Sequence, residues 1–95
     1  MQTFKAVFTK TKLTEEELSV TKQYTFNSTD SISVDDIFYS NDYKKFIQVT
    51  YIYSEPYHYV NVKTGELSNS NSNFPFVKIK IISKDENKID DSASQ

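Results

Sequence analysis

The stretch Phe46-Ile47-Gln48-Val49-Thr50-Tyr51-Ile52-Tyr53-Ser54-Glu55-Pro56-Tyr57-His58-Tyr59-Val60-Asn61-Val62 decides how the fold is read. Four of the chain's seven tyrosines fall in the nine residues from Tyr51 to Tyr59. Phe46 to Tyr53 alternates with period two and is rich in β-branched and aromatic residues, the pattern of a half-buried strand. Ser54-Glu55-Pro56 interrupts it. Proline fixes its own φ, has no N–H to donate and keeps the residue before it extended. Tyr57 to Val62 then resumes the alternation.

Read as a hairpin with a three-residue loop, the segment sets Tyr53 opposite Tyr57, Tyr51 opposite Tyr59 and Val49 opposite Asn61. All four tyrosines then share a face with Ile47 and Val49. Gln48, Thr50, Ile52, His58, Val60 and Val62 take the other face. A loop of two or four residues would reverse the parity of one strand and scatter the rings.

Outward from this segment, Val62-Lys63-Thr64-Gly65-Glu66 reads as a second hairpin turn, with the chain's only glycine at the left-handed position. A short return strand from Glu66 to Ser68 follows, then the polar tract Ser68 to Asn73. Phe76 to Ile82 is the expected last strand, with Val77, Ile79 and Ile81 on one face and Lys78 and Lys80 on the other. Towards the N-terminus, Thr3 to Lys10 and Leu18 to Phe26 alternate as two more strands, joined by an exposed tip at Thr14-Glu15-Glu16-Glu17. Between them and Phe46, Ser33 is placed to cap a two-turn helix with Asp35 and Asp36 in its first turn. Val34, Ile37 and Phe38 would form its apolar stripe.

The expected fold is α+β: a mainly antiparallel β-sheet of about five or six strands, in β-β-α-β-β-β order, with one short helix packed on one face. Residues 1–83 are expected to form a single small domain and residues 84–95 a disordered acidic, polar tail.

Composition narrows the function. The 37% apolar content is low, but seven Phe and seven Tyr offset it, since each aromatic ring buries a large area. With no cysteine there are no disulfides, thiolate metal sites or thiol chemistry. All eleven basic residues are lysine, against thirteen acids. Absent arginine and absent net positive charge weigh against nucleic-acid binding, which favours bidentate guanidinium contacts. Abundant Lys, Asn, Ile, Phe and Tyr fit an AT-rich coding sequence, as in a low-GC bacterium or its phage. Met1-Gln2-Thr3-Phe4-Lys5 carries no apolar run of signal-peptide or membrane-span length, so a cytoplasmic protein is expected. The sequon Asn27-Ser28-Thr29 is then a chance match.

Candidates for chemistry are few. His58 has Glu55 near it but no Ser, Cys or second base at a catalytic spacing. Asp35, Asp36 and Asp42 lack the alternation, central glycine and closing glutamate of a calcium loop. One glycine leaves no phosphate-binding loop. No enzyme activity, cofactor or metal is expected.

The tyrosines have two readings. As core, they would lie under the helix beside Phe38 and Tyr39. As surface, Tyr51, Tyr53, Tyr57 and Tyr59 would anchor a partner, because tyrosine gives large contact area at low entropic cost. Lys78 and Lys80, or the acidic tip, would orient that partner. The expected function is a small non-catalytic protein-binding module of the interaction or inhibitor type, docking through a tyrosine-rich sheet face or a sheet edge, whose partner is another protein or a second copy of itself. The alternatives are a single-stranded nucleic-acid binder that stacks bases on the same tyrosines, with Lys44, Lys45, Lys78 and Lys80 attending the backbone, and a structural subunit of a larger assembly.

Overall fold

The computed structural model describes residues 1–71 and 75–84. Residues 72–74 of the Ser-Asn tract, and 85–95 of the expected tail, lie outside the described residues. The elements are β1 (Gln2–Phe8), α1 (Glu15–Val20), β2 (Tyr24–Ser28), β3 (Ile37–Ser40), β4 (Lys45–Ile52), β5 (Tyr59–Asn61), β6 (Leu67–Ser68) and β7 (Phe76–Lys78). They form a four-stranded sheet of order β2-β1-β4-β3 and a three-stranded sheet of order β6-β5-β7. Every strand pair in both sheets is antiparallel. The fold is thus mostly antiparallel β with one short helix.

The core lies on one face of the larger sheet. Phe4 and Ala6 of β1, Phe26 of β2, Phe38 of β3, and Ile47 and Val49 of β4 are buried together there. Ile32 and Ile82 close it from flanking segments. The Phe4 ring centroid is 6.0 Å from that of Phe26 and 6.4 Å from that of Phe38, so one ring bridges three strands. Period two in each strand produces this face, and burying it is what stabilises the sheet.

Three expectations need correction. The helix expected from Ser33 is a turn followed by β3. Asp36 N–H donates to the Ser33 carbonyl at 3.1 Å, and Ser33 N–H donates to Asp36 Oδ2 at 2.9 Å. Asp35 then takes a positive φ of 74°, which ends any helical run. A two-turn helix has little intrinsic stability, whereas Ile37, Phe38 and Tyr39 suit a strand and pair with Gln48, Ile47 and Phe46.

The exposed tip is instead the start of the only helix among the described residues. Thr14 Oγ1 accepts from Glu17 N–H at 3.2 Å, and Thr14 N–H donates to Glu17 Oε1 at 3.0 Å. This reciprocal pair is a capping box, and three glutamates in the first turn suit the helix dipole. The strand expected from Leu18 therefore begins only at Tyr24.

The last strand is also shorter than expected, ending at Lys78. Val77 and Ile81 are exposed, while Ile79 and Ile82 are buried. Beyond β7 the chain crosses to β2, where Asn27 N–H donates to the Lys80 carbonyl at 2.9 Å and Ile82 N–H to the Asn27 carbonyl at 2.8 Å. This single parallel bridge carries Ile82 into the core. Lys84 fastens the end of the crossing: its ammonium lies 3.3 Å from Asp36 Oδ2 and donates to the Ser31 carbonyl at 2.9 Å. Gly65 takes the expected left-handed conformation, with φ at 80° and its N–H bonded to the Asn61 carbonyl at 2.7 Å, but the register of β5 and β6 makes the loop one residue longer than the three-residue turn expected there.

Candidate functional site

The tyrosines do not form a hairpin. β4 pairs with β1 and β3 in the larger sheet, and β5 pairs with β6 and β7 in the smaller one. Two local features explain the departure. The first is a β-bulge between β1 and β4: Ala6 faces Val49, yet Lys5 faces Tyr51 and Phe4 faces Ile52. The extra residue, Thr50, reverses parity along β4. Ile47 and Val49 stay on the core side and Ile52 joins them, while Tyr51 is thrown to the opposite side with Lys5. The Thr50 hydroxyl donates to Gln23 Oε1 at 2.9 Å and lies 3.2 Å from the Lys5 carbonyl oxygen, holding the bulge in place.

The second feature is a buried polar knot around Thr3. Tyr53 N–H donates to the Thr3 carbonyl at 2.9 Å, and Tyr57 N–H donates to Thr3 Oγ1 at 2.8 Å. The Thr3 hydroxyl donates to Asn27 Oδ1, and Asn27 Nδ2 donates to the Tyr57 carbonyl at 2.8 Å. Both side chains are buried, so each polar group must find its partner inside the fold. The burial of Asn27 also leaves its sequon closed to a glycan in the folded chain. The knot draws the Ser54-Glu55-Pro56 segment into a wide connection across the end of β1, where a tight turn would otherwise stand.

The outcome is a ladder of three rings. Tyr51 and Tyr53 meet edge to face with centroids 5.0 Å apart, and Tyr53 and Tyr57 do the same at 5.9 Å. Tyr51 is 53% exposed, and Tyr53 and Tyr57 are half-buried. Lys5, Leu18, Gln23, Thr50, Tyr51 and Tyr53 line a groove of about 500 Å³ beside the ladder. Helix α1 walls this groove through Leu18 but buries no residue of its own. The rings are therefore neither under a helix nor part of the main core.

Tyr59 stands apart from the ladder. It lies in β5, paired with Ser68 on one side and Lys78 on the other. Lys78 is exposed. Lys80 is also exposed, and its ammonium lies 3.9 Å from Asp42 in the β3–β4 turn. The structure thus brings Tyr51, Tyr53 and Tyr57 together, sets Tyr59 beside Lys78, and places Lys80 near the β3–β4 turn. Lys5, Leu18, Gln23 and Thr50 are site residues that the alternation pattern missed. The Thr14–Glu17 capping spacing was the signal that could have put Leu18 on a helix.

The other candidates are accounted for by neighbours. Asp35 lies 3.6 Å from the Lys12 ammonium, while Asp36 and Asp42 face Lys84 and Lys80. His58 is exposed, and its backbone N–H donates to Asn69 Oδ1 at 3.0 Å. Among the described residues, no helix is long and apolar enough to cross a membrane. No family model, curated protein or solved structure matches the chain.

Proposed function

We propose that the protein is a non-catalytic binding module that docks another protein, or a second copy of itself, on the ladder of Tyr51, Tyr53 and Tyr57. The observation that carries this reading is that three rings are held edge to face outside the core, along a groove with an apolar wall. Rings fixed by their neighbours lose little side-chain entropy when a partner covers them, which is the economy seen at interface hot spots. Lys5 at the groove is the charge that would orient the partner, and Lys78 beside Tyr59 extends the surface on the smaller sheet.

The same geometry disfavours stacked bases. Among the described residues, Lys5 is the one basic residue that lines the groove, whereas single-strand platforms set their rings along a positively charged track. Tyr51→Ala removes an exposed ring and is expected to leave the fold intact. In a pull-down with graded bait, it should weaken capture of the partner by about tenfold or more, as for an interface anchor. Sedimentation of the purified chain separates the two partner types, since only self-docking makes the mass depend on concentration. Equal capture by wild type and Tyr51→Ala would overturn the assignment.

A further inference from the structure

A second site lies at the other end of β4, about 17 Å along the strand from Tyr51. Here the end of β1, strand β3 and the β3–β4 turn enclose a cleft of about 340 Å³. That volume is in the range of small-molecule sites. Its apolar lining comes from Phe8, Tyr39 and Phe46, and Lys10, Lys44 and Lys45 are also at the cleft. Tyr39 and Phe46 are cross-strand partners whose rings meet at 5.2 Å, nearly perpendicular. Thr9 N–H donates to the Phe46 carbonyl at 2.9 Å, which fixes the wall that carries Lys10.

The charge lining this cleft is of one sign among the described residues, with no carboxylate. Among the described residues, the ion pairs engage Lys12, Lys80 and Lys84, and none engages Lys10, Lys44 or Lys45. The Lys45 ammonium stands 5.1 Å from the centroid of the Phe8 ring, an attraction that leaves its charge unneutralised. Three lysines line the one cleft, and an anion bound there would be attracted by the summed positive charge.

The backbone adds a second observation. Lys44 has a φ of 55°, and its N–H closes the turn on the Ser40 carbonyl at 2.7 Å. Glycine or asparagine would occupy this left-handed position with less strain. A lysine in the left-handed region is uncommon because of its β-carbon, and backbone outliers of this kind cluster at functional sites.

We propose that the cleft binds a small planar aromatic anion, with its ring against Phe46 and Tyr39 and its acid group towards Lys10, Lys44 and Lys45. The apolar walls recognise the flat body of the ligand. The lysines act as point charges that accept a carboxylate, sulfonate or phosphate without demanding one bidentate geometry. This site is independent of the tyrosine ladder, and either can fail without the other.

The test is a fluorescence titration of the purified protein with anilinonaphthalene sulfonate, compared with uncharged N-phenylnaphthylamine. The sulfonate is expected to saturate at one per chain and to weaken severalfold as salt rises from about 50 to about 500 mM, as screening requires. Lys44→Asn keeps a residue suited to the left-handed turn, so it should melt no lower than wild type. It should nevertheless bind the sulfonate about fivefold or more weakly, the loss expected for one partly desolvated charge. Lys63→Gln, on the smaller sheet's turn, should bind as wild type does. Unsaturable binding would overturn the proposal. So would equal affinity for the neutral analogue, or unchanged affinity in a folded Lys44→Asn protein.

Discussion

Phe4→Ala is expected to cost about 3–5 kcal/mol of unfolding free energy, the range for truncating a buried phenylalanine. Phe4 has no exposed surface, and its ring touches both Phe26 and Phe38. β1 is a central strand of the larger sheet, so neighbours on both sides would have to move to fill the space. A domain this small holds on the order of 5–8 kcal/mol, and most of that would be lost. Urea denaturation followed by tyrosine fluorescence or circular dichroism measures the change. Val20→Ala on α1 is the reference: Val20 is 85% exposed, and its loss should shift stability by about 0.5 kcal/mol or less. A Phe4→Ala protein within about 1 kcal/mol of wild type would mean that the core is not organised around this ring.

Asn27→Ala is expected to cost about 1–3 kcal/mol, through poorly satisfied polar groups rather than lost apolar area. The amide holds two segments that are distant in sequence. Its oxygen accepts from the Thr3 hydroxyl and its nitrogen donates to the Tyr57 carbonyl. Removing it takes the better donor from the Tyr57 carbonyl and the better acceptor from the Thr3 hydroxyl, and leaves the two with only the long 3.4 Å contact between them. The backbone bonds from Asn27 to Lys80 and Ile82 do not depend on the side chain, so the crossing strand should stay in place. The variant should therefore stay folded at low temperature while the 53–57 connection loosens. Hydrogen exchange at the Tyr57 amide should accelerate more than exchange at Val49, which β4 protects. Uniform acceleration, or none, would contradict the assigned role of the knot.

These two residues also show what the sequence could and could not reveal. Phe4, Ala6, Phe26, Ile47 and Val49 announce themselves through alternation, and β4 lies within one residue of its expected bounds. Gly65 was equally legible, because one glycine among polar turn residues has few other uses. The helix was not. Leu18, Val20, Tyr24 and Phe26 share a parity, and that longer pattern masked the Thr14–Glu17 capping spacing, although the cap is the stronger local interaction. Ile37-Phe38-Tyr39 failed in the opposite sense: the apolar spacing fits a helix, yet pairing with β4 outweighs it.

The tyrosine site was half legible. Composition marked the cluster, but its geometry rests on a bulge at Thr50 and on hydrogen bonds from Thr3 and Asn27, residues distant in sequence from the rings they place. A one-residue register change moves Tyr51 and Tyr53 away from Ile47 and Val49 to the opposite face. No local pattern encodes that shift. The lysine cleft was illegible for the same reason, since Lys10 and Lys44 meet only through the β1–β4 pairing.

Site-specific photo-crosslinking is the sharpest test of whether the ladder of Tyr51, Tyr53 and Tyr57 docks a protein, as proposed. A benzophenone-bearing phenylalanine analogue would replace Tyr51 in one sample and Lys63, on the smaller sheet's turn, in another, each irradiated in cells that express the protein. A discrete protein adduct is expected from position 51, its mass identifying either a second copy or a different chain, and none from position 63. An adduct to nucleic acid from position 51, or no adduct there at all, would contradict the proposed docking.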